Sequence, residues 1–241
     1  MEQKVTMKLF RKYHYGEYLK SFTPTSTQIT LANSIYKKII KLKPTEKVKF
    51  NSKKYKDIEK AMSVLNVKYF PYFELEAEQE DDGESVTYII KGKRVQNAIF
   101  QNKKIKDIVA KTIRDIGITT KHTQKEAVIM INDYFNKHYK YLDYGYFDNS
   151  SYNKLLFTKK SGVCQDYAYA FYLLASYCGI TVAQCYSHED MDHAFNCVKI
   201  NGKVTYLDTC WNPYCDNKYL FMDKKDFETE KYHRIDSVIW G

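Results

Sequence analysis

The chain lacks several features that would fix its class at once. No stretch approaches the roughly 18 uncharged apolar residues that cross a bilayer, so no transmembrane helix is expected. The opening residues, MEQKVTMKLFRKYHYG, lack the apolar centre of a secretory leader. That leaves the compartment open: cytoplasmic for the chain as it stands, or secreted or cell-surface if a leader precedes it. Six cysteines are present but no CxxC pair, which removes the usual structural zinc pattern. A disulfide scaffold would be shorter and denser in cysteine. No internal repeat and no low-complexity segment occurs. What is there excludes wholesale disorder: 44% of the 241 residues are hydrophobic, enough for one domain with an accessory region or two small domains.

The net charge of +9 is unevenly placed. Residues 1–60 hold 15 basic and 5 acidic side chains, whereas residues 61–241 hold 23 and 24. The basicity therefore belongs to the first quarter of the chain. It suits an anionic polymer or surface as partner, with lysines on solvated helix faces as the plainer account. Nucleic acid ranks below these.

Periodicity sketches the elements. Ser26 or Thr27 can cap a helix with Leu31, Ile35, Ile39 and Leu42 on one stripe, ended by Pro44. Ser52 can cap a second, with Tyr55, Ile58, Met62 and Leu65. Val67–Leu75 reads as a strand pushed to an edge by Pro71. The acidic turn Glu80-Asp81-Asp82-Gly83-Glu84 then leads into a second strand, Val86–Ile90, closing a short hairpin. A helix carrying Ile105, Ile108, Val109, Thr112 and Ile116 ends at Gly117. The next opens near Thr123 with a Thr123/Glu126 capping box and runs to about His138. Tyr139–Phe157 reads as a loop. Two domains are expected: a basic, mainly helical accessory region over 1–120, and a core over 121–241.

All six cysteines, Cys164, Cys178, Cys185, Cys197, Cys210 and Cys215, lie in the last third. Cys164 opens an almost wholly apolar helix, Tyr167–Cys178, stopped by Gly179, and Gly162 permits a tight turn before it. A helix N-terminus stabilises a thiolate, a placement that a packing cysteine does not need. Three strands follow, Ile180–Tyr186, His193–Ile200 and Val204–Trp211, the last two joined by the hairpin signal Asn201-Gly202. With a two-residue turn Ile200 faces Lys203, so Phe195 faces Asp208 and His193 faces Cys210. His193 and Asp208 then share one face as diagonal neighbours, within reach of a hydrogen bond. Ala194, Val198, Ile200 and Leu207 form the opposite, core-facing side. A cysteine at a helix start with a His–Asp pair is the set that nucleophilic thiol catalysis requires.

Gly162-Val163-Cys164-Gln165-Asp166-Tyr167-Ala168, His193-Ala194-Phe195-Asn196 and Tyr206-Leu207-Asp208-Thr209-Cys210-Trp211 resemble, in that order, the three motifs of the transglutaminase-like superfamily. The likeness is to the microbial branch. Animal transglutaminases have Trp after the nucleophile, where this chain has Gln165. The resemblance covers about residues 121–241, and Ile58–Ile90 with the two helices after it also looks like the region preceding this core in bacterial members. It implies an α+β fold of papain/transglutaminase type: a nucleophile helix packed on an antiparallel sheet, behind a mainly helical N-terminal region with a short β-hairpin. It implies a nucleophile Cys164, a base His193, an orienting Asp208, a protein or peptide substrate and no cofactor. The chemistry expected is acyl transfer or hydrolysis at a peptide-bound Gln carboxamide or peptide bond, through a thioester. The alternatives are a cysteine peptidase or deamidase of the same fold, or a catalytically silent module binding peptide or cell-surface polymer.

Other candidates stay open. His188 is a rival base or a loop residue near the cleft. Trp211 either walls the site or packs. Gln165 and Asp166 lie in the first turn of the nucleophile helix, Asp166 suited to its dipole. With His188, Trp211 and Gln165 are the candidate substrate contacts. Glu189, Asp190 and Asp192 could hold a hard cation but lack EF-hand spacing, and no metal is assigned. Cys178, Cys185 and Cys197 read as core thiols, and Cys210 as a packing residue on the catalytic face. A second oxyanion donor is sought within Tyr152–Thr158.

Overall fold

The computed structural model describes residues 2–7, 14–15, 20–21, 23–142, 160–188 and 192–240. They form two compact units, one over residues 20–107 and one over 108–240 together with the N-terminal residues 2–7. No helix among the described residues is long and apolar enough to cross a membrane.

The first unit starts with a minimal strand pair, β1 (His14–Tyr15) and β2 (Lys20–Ser21). Helix α1 (Ser26–Ile39) is capped one residue earlier than the sequence suggests. The Thr25 hydroxyl accepts from Gln28 N at 3.2 Å, and Gln28 Oε1 accepts from Thr25 N at 2.9 Å. Strand β3 (Lys47–Asn51) follows, a strand that periodicity did not reveal, and helix α2 (Ile58–Tyr69) begins well after Ser52. Ala32, Ile35 and Ile39 of α1 pack with Ile58, Ala61, Val64 and Leu65 of α2 in one core.

The strand expected over Val67–Leu75 is not formed. Val67–Tyr69 complete the last turn of α2, and Pro71 offers no N–H. The backbone beyond is satisfied by side-chain amides instead of a partner strand. Asn102 Oδ1 accepts from Tyr72 N (2.8 Å) and Phe73 N (3.2 Å), and Asn66 Oδ1 accepts from Leu75 N (3.0 Å). The hairpin is therefore β4 (Glu78–Asp81) with β5 (Val86–Lys91), and β3 adds to its other side in the order β3-β5-β4. Its acidic residues pair with exposed cations: Glu78 with Lys91 and Arg94, Glu80 with Lys49, Glu84 with Lys53. Helix α3 (Gly92–Ile116) spans the division between the units and stops at Gly117, φ +84°.

In the second unit, helix α4 (Gln124–His138) carries the expected Thr123/Glu126 capping box. Residues 3–6 pack here: Gln124 N donates to Gln3 O, Val5 N to His122 O and Thr6 N to Cys178 O. Short parallel strands β6 (Lys140–Tyr141) and β7 (Ser161–Gly162) flank residues 143–159, which lie outside the described residues with most of the expected loop and the Tyr152–Thr158 oxyanion candidates. Helix α5 (Cys164–Tyr177) packs on a five-stranded antiparallel sheet, and its C-terminus turns at Gly179, φ +76°. The sheet holds β8 (Thr181–Ser187), β9 (His193–Ile200), β10 (Lys203–Leu207), β11 (Leu220–Met222) and β12 (Ser237–Trp240), in the order β11-β10-β9-β8-β12. Helix α6 (Lys224–Glu228) lies between the last two in sequence.

The β9–β10 hairpin turns at Asn201-Gly202, both at positive φ, and runs in register from Ile200↔Lys203 to Asn196↔Leu207. The third strand is shorter than expected. At Asp208 the main chain leaves β9, so Cys210 does not face His193. The sheet is also covered on both sides. Asn196 of one face donates to Ala168 O of α5, while Phe195, Cys197 and Tyr206 of the other bury against Tyr219 and Phe227. The His193 face is thus a second core, not the open side of a hairpin.

Candidate active site

The site forms where α5 begins and β9 begins. Tyr141 and Gly162 pair across β6 and β7, which fixes the chain immediately before Cys164. Val163 cannot cap the helix with its own side chain. Asp166 does so by folding back, its Oδ2 accepting from Val163 N at 3.0 Å. This explains Gly162 differently from the sequence expectation. Its backbone needs no special φ, but a Cβ there would stand 2.6 Å from Asp166 Oδ2. Burial pushes the Asp166 carboxyl up, against the pull of the Val163 amide. Its Oδ1 is buried and has no hydrogen-bond partner among the described residues.

Cys164 is half-buried at the first position of α5. Cys178, Cys185, Cys197 and Cys210 are fully buried, and burial pushes the Cys178 thiol up to about 12 and those of Cys185 and Cys210 up as well. These four cannot serve as accessible thiolates.

His193 is 3% exposed at the start of β9, opposite Ser187. Its Nε2 lies 2.6 Å from Asp208 Oδ2, and the Cys164 thiol is the other group that raises its pKa. With Nε2 donating to the carboxylate, Nδ1 is the nitrogen left for the sulfur. Burial by itself would lower the pKa of the imidazole. The Asp208 charge and hydrogen bond, with Cys164, outweigh it and raise the value to about 10. Asp208 is fully buried, which opposes its charge, yet the His193 cation beside it and its hydrogen bonds hold the carboxyl well below its ordinary range. Each oxygen accepts twice: Oδ1 from Cys210 N (2.9 Å) and Trp211 N (3.2 Å), Oδ2 from His193 and from His233 Nε2 (3.0 Å).

His233 is the residue that sequence reasoning missed. It lies 25 positions beyond Asp208 in an irregular stretch after α6, and no motif or periodicity marks it. Trp211 is half-buried with its ring centroid 5.3 Å from that of His193 and 5.1 Å from that of His233, so it both walls the imidazoles and packs. Gln165 follows Cys164, half-buried, and no contact among the described residues ties it to the pair. His188 is exposed. Its Nδ1 lies 3.0 Å from Asp192 Oδ1 and its amide donates to Asp236 Oδ2. Glu189 and Asp190 lie outside the described residues.

His193, Asp208 and His233 bring three potential metal-ligand atoms within 4.8 Å of one another. The 2.6 Å His193–Asp208 contact is a hydrogen bond, whereas two ligands on a tetrahedral ion with bonds of about 2.0–2.1 Å stand about 3.3 Å apart. The group is joined by hydrogen bonds.

Residues 111–221 match the Transglutaminase-like superfamily. The matched part carries Cys164, His193 and Asp208. No curated protein sequence matches the chain. Solved structures similar to it include a candidate cysteine protease from Cytophaga hutchinsonii, at 11% identity and TM-score 0.35, covering 81% of this chain and 76% of that one. A TGase is similar at 12% identity and TM-score 0.37, covering 73% and 56%, respectively. A candidate protease from Parabacteroides distasonis is similar at 13% and 0.30, covering 55% and 35%.

Proposed function

We propose that the protein is a thiol acyltransferase or hydrolase acting on a peptide-bound acyl group through Cys164, His193 and Asp208. The observation that supports this is a half-buried cysteine at the first turn of α5 that acts on His193, the partner of Asp208. A histidine held protonated against a cysteine favours the thiolate, which is the nucleophilic form.

In the first half-reaction the Cys164 sulfur attacks the acyl carbon of a Gln carboxamide or peptide bond. His193 gives its proton to the leaving ammonia or amine, and a thioester remains on Cys164. In the second, water or an amine attacks the thioester, His193 takes the proton, and the sulfur leaves as thiolate. Asp208 keeps Nε2 protonated and steadies the imidazolium. Water gives deamidation or proteolysis, and an amine gives cross-linking. Trp211, as the wall beside the imidazole, is the first candidate to contact the acyl chain, with Gln165 and His188 as further substrate contacts.

The test is competitive labelling with trace iodoacetamide at pH 6, read by peptide mass spectrometry. Cys164 is expected to be modified at least tenfold faster than Cys215, the other half-buried thiol. Equal rates would remove the activated nucleophile. Incubation with Gln-containing peptides, with and without a primary amine, then separates ammonia release from amine incorporation. Cys164→Ala should abolish either one and leave the circular dichroism spectrum unchanged.

A further inference from the structure

The site holds one more histidine than the three-residue scheme uses. His233 is wholly buried, and both its ring nitrogens face acceptors: Nε2 faces Asp208 Oδ2 and Nδ1 faces Lys231 O, each at 3.0 Å. Its ring stacks on Tyr219 at 4.5 Å and meets Phe227, Trp211, Phe195 and His193 edge-on or tilted. The titratable groups facing it are Asp208, after β10; His193, on β9; and Tyr219 and Glu230, whose carboxylate is held by Lys218. Neither its position nor its rotation is free.

We propose that His233 is a positioning residue that sets how firmly Asp208 holds the proton of His193. This rests on the assignment of Cys164 and His193 above. One carboxylate oxygen receives both imidazole N–H groups. Each donor withdraws electron density from the same atom, so each weakens the other's hold on it. His233 also closes the last direction in which the Asp208 side chain could turn, its remaining oxygen being fixed by two main-chain amides. With His233 present, Asp208 is oriented strongly but is a tempered base. His193 can therefore both keep its proton against the thiolate and release it to the leaving group.

The sign of the effect follows. Removing the second donor makes Asp208 a stronger acceptor towards His193, so the imidazolium persists to higher pH. The rate of Cys164 alkylation against pH reports this directly, since its upper step marks loss of the His193 proton. In His233→Phe, which suits the aromatic surroundings, that step should move up by about one pH unit. In His233→Gln, which keeps one N–H for Asp208, it should move less. If wild-type Cys164 shows no advantage over Cys215, the underlying assignment fails and this one with it. If wild-type Cys164 is fast but the upper step stays put in both variants, only the role of His233 is overturned. Unfolding of the variants is met by a measurement on the unaltered protein. With ¹⁵N-labelled histidine, the Nε2 signal of His233 should shift as His193 titrates. A His233 signal indifferent to that titration overturns the proposal.

Discussion

Asp208 shows how one side chain can be committed in two directions. Its Oδ1 ends β10 by taking the Cys210 and Trp211 amides, and its Oδ2 faces two imidazoles. The coupling to His193 makes stability depend on pH in a defined sense. The histidine's value is raised, so its contribution is complete below its ordinary 6.5 and is lost as pH rises through about 10. The value for Asp208 is depressed, so its contribution is present above the ordinary carboxylate range and is lost only as pH falls through its lowered native value. Unfolding free energies from denaturant titrations between pH 6.5 and 10 should decline by up to about 1.4 kcal/mol per pH unit more in wild type than in His193→Gln. Parallel curves would contradict the coupling. Gly162 offers a second check. Gly162→Ala should cost about 1–3 kcal/mol, because its Cβ would meet the Asp166 carboxylate. Combined with Asp166→Ala, the same change should add little, and a double-mutant cycle reads the difference.

Helices were legible where capping and stripe agreed. The Thr123/Glu126 box and Gly117 bound α4 and α3 as the local chemistry requires. The Asn201-Gly202 turn fixed a register that holds over the whole of β10. The misassigned strand at Val67–Leu75 has the opposite lesson. Phe70, Tyr72 and Leu75 are buried, but the backbone beyond Pro71 is satisfied by the side chains of Asn66 and Asn102, which periodicity does not reveal. The turn that carries Asp208 is held in a similar way. Asn212 is buried, accepting from Tyr219 N (2.9 Å) and donating to Asn132 Oδ1 of α4 (2.7 Å). Asn212→Ala leaves those groups unpaired and should lower stability by about 2–3 kcal/mol. It should also slow Cys164 labelling, because the Asp208 turn loses its anchor to α4. Normal labelling in a destabilised variant would show the turn to be held without it.

Over the whole chain, charge and chemistry are separate. Residues 20–107 carry 18 basic and 11 acidic side chains, whereas residues 108–241 carry 16 of each. Part of that excess is answered locally, since Lys49, Lys53, Lys91 and Arg94 pair with the acidic hairpin, although exposed pairs of this kind are each worth only about 0–1 kcal/mol. Lys37, Lys38, Lys41 and Lys43, on and after α1, make no ion pair of this kind among the described residues. We propose that this unit docks the protein on an anionic polymer. Binding to heparin resin, a polyanion probe, should weaken steeply between about 50 and 200 mM salt. It should survive Cys164→Ala and fall when Lys37, Lys38, Lys41 and Lys43 are changed to Gln. Retention of all four-lysine-variant binding would dismiss this surface.

Local chemistry was enough to mark Cys164 at a helix start, to set the β9–β10 register and to bring His193 opposite the strand that leads to Asp208. Each depends on rules acting within a few residues: helix ends, alternation and turn conformation. What folding alone decided is the surroundings. The end of β10 at Asp208, the removal of Cys210 from the face of His193, the need for glycine at 162 and the arrival of His233 all depend on groups far apart in the chain competing for the same hydrogen bonds and the same space. A buried carboxylate must fill every acceptor site it has, and only the assembled core determines which donors reach it.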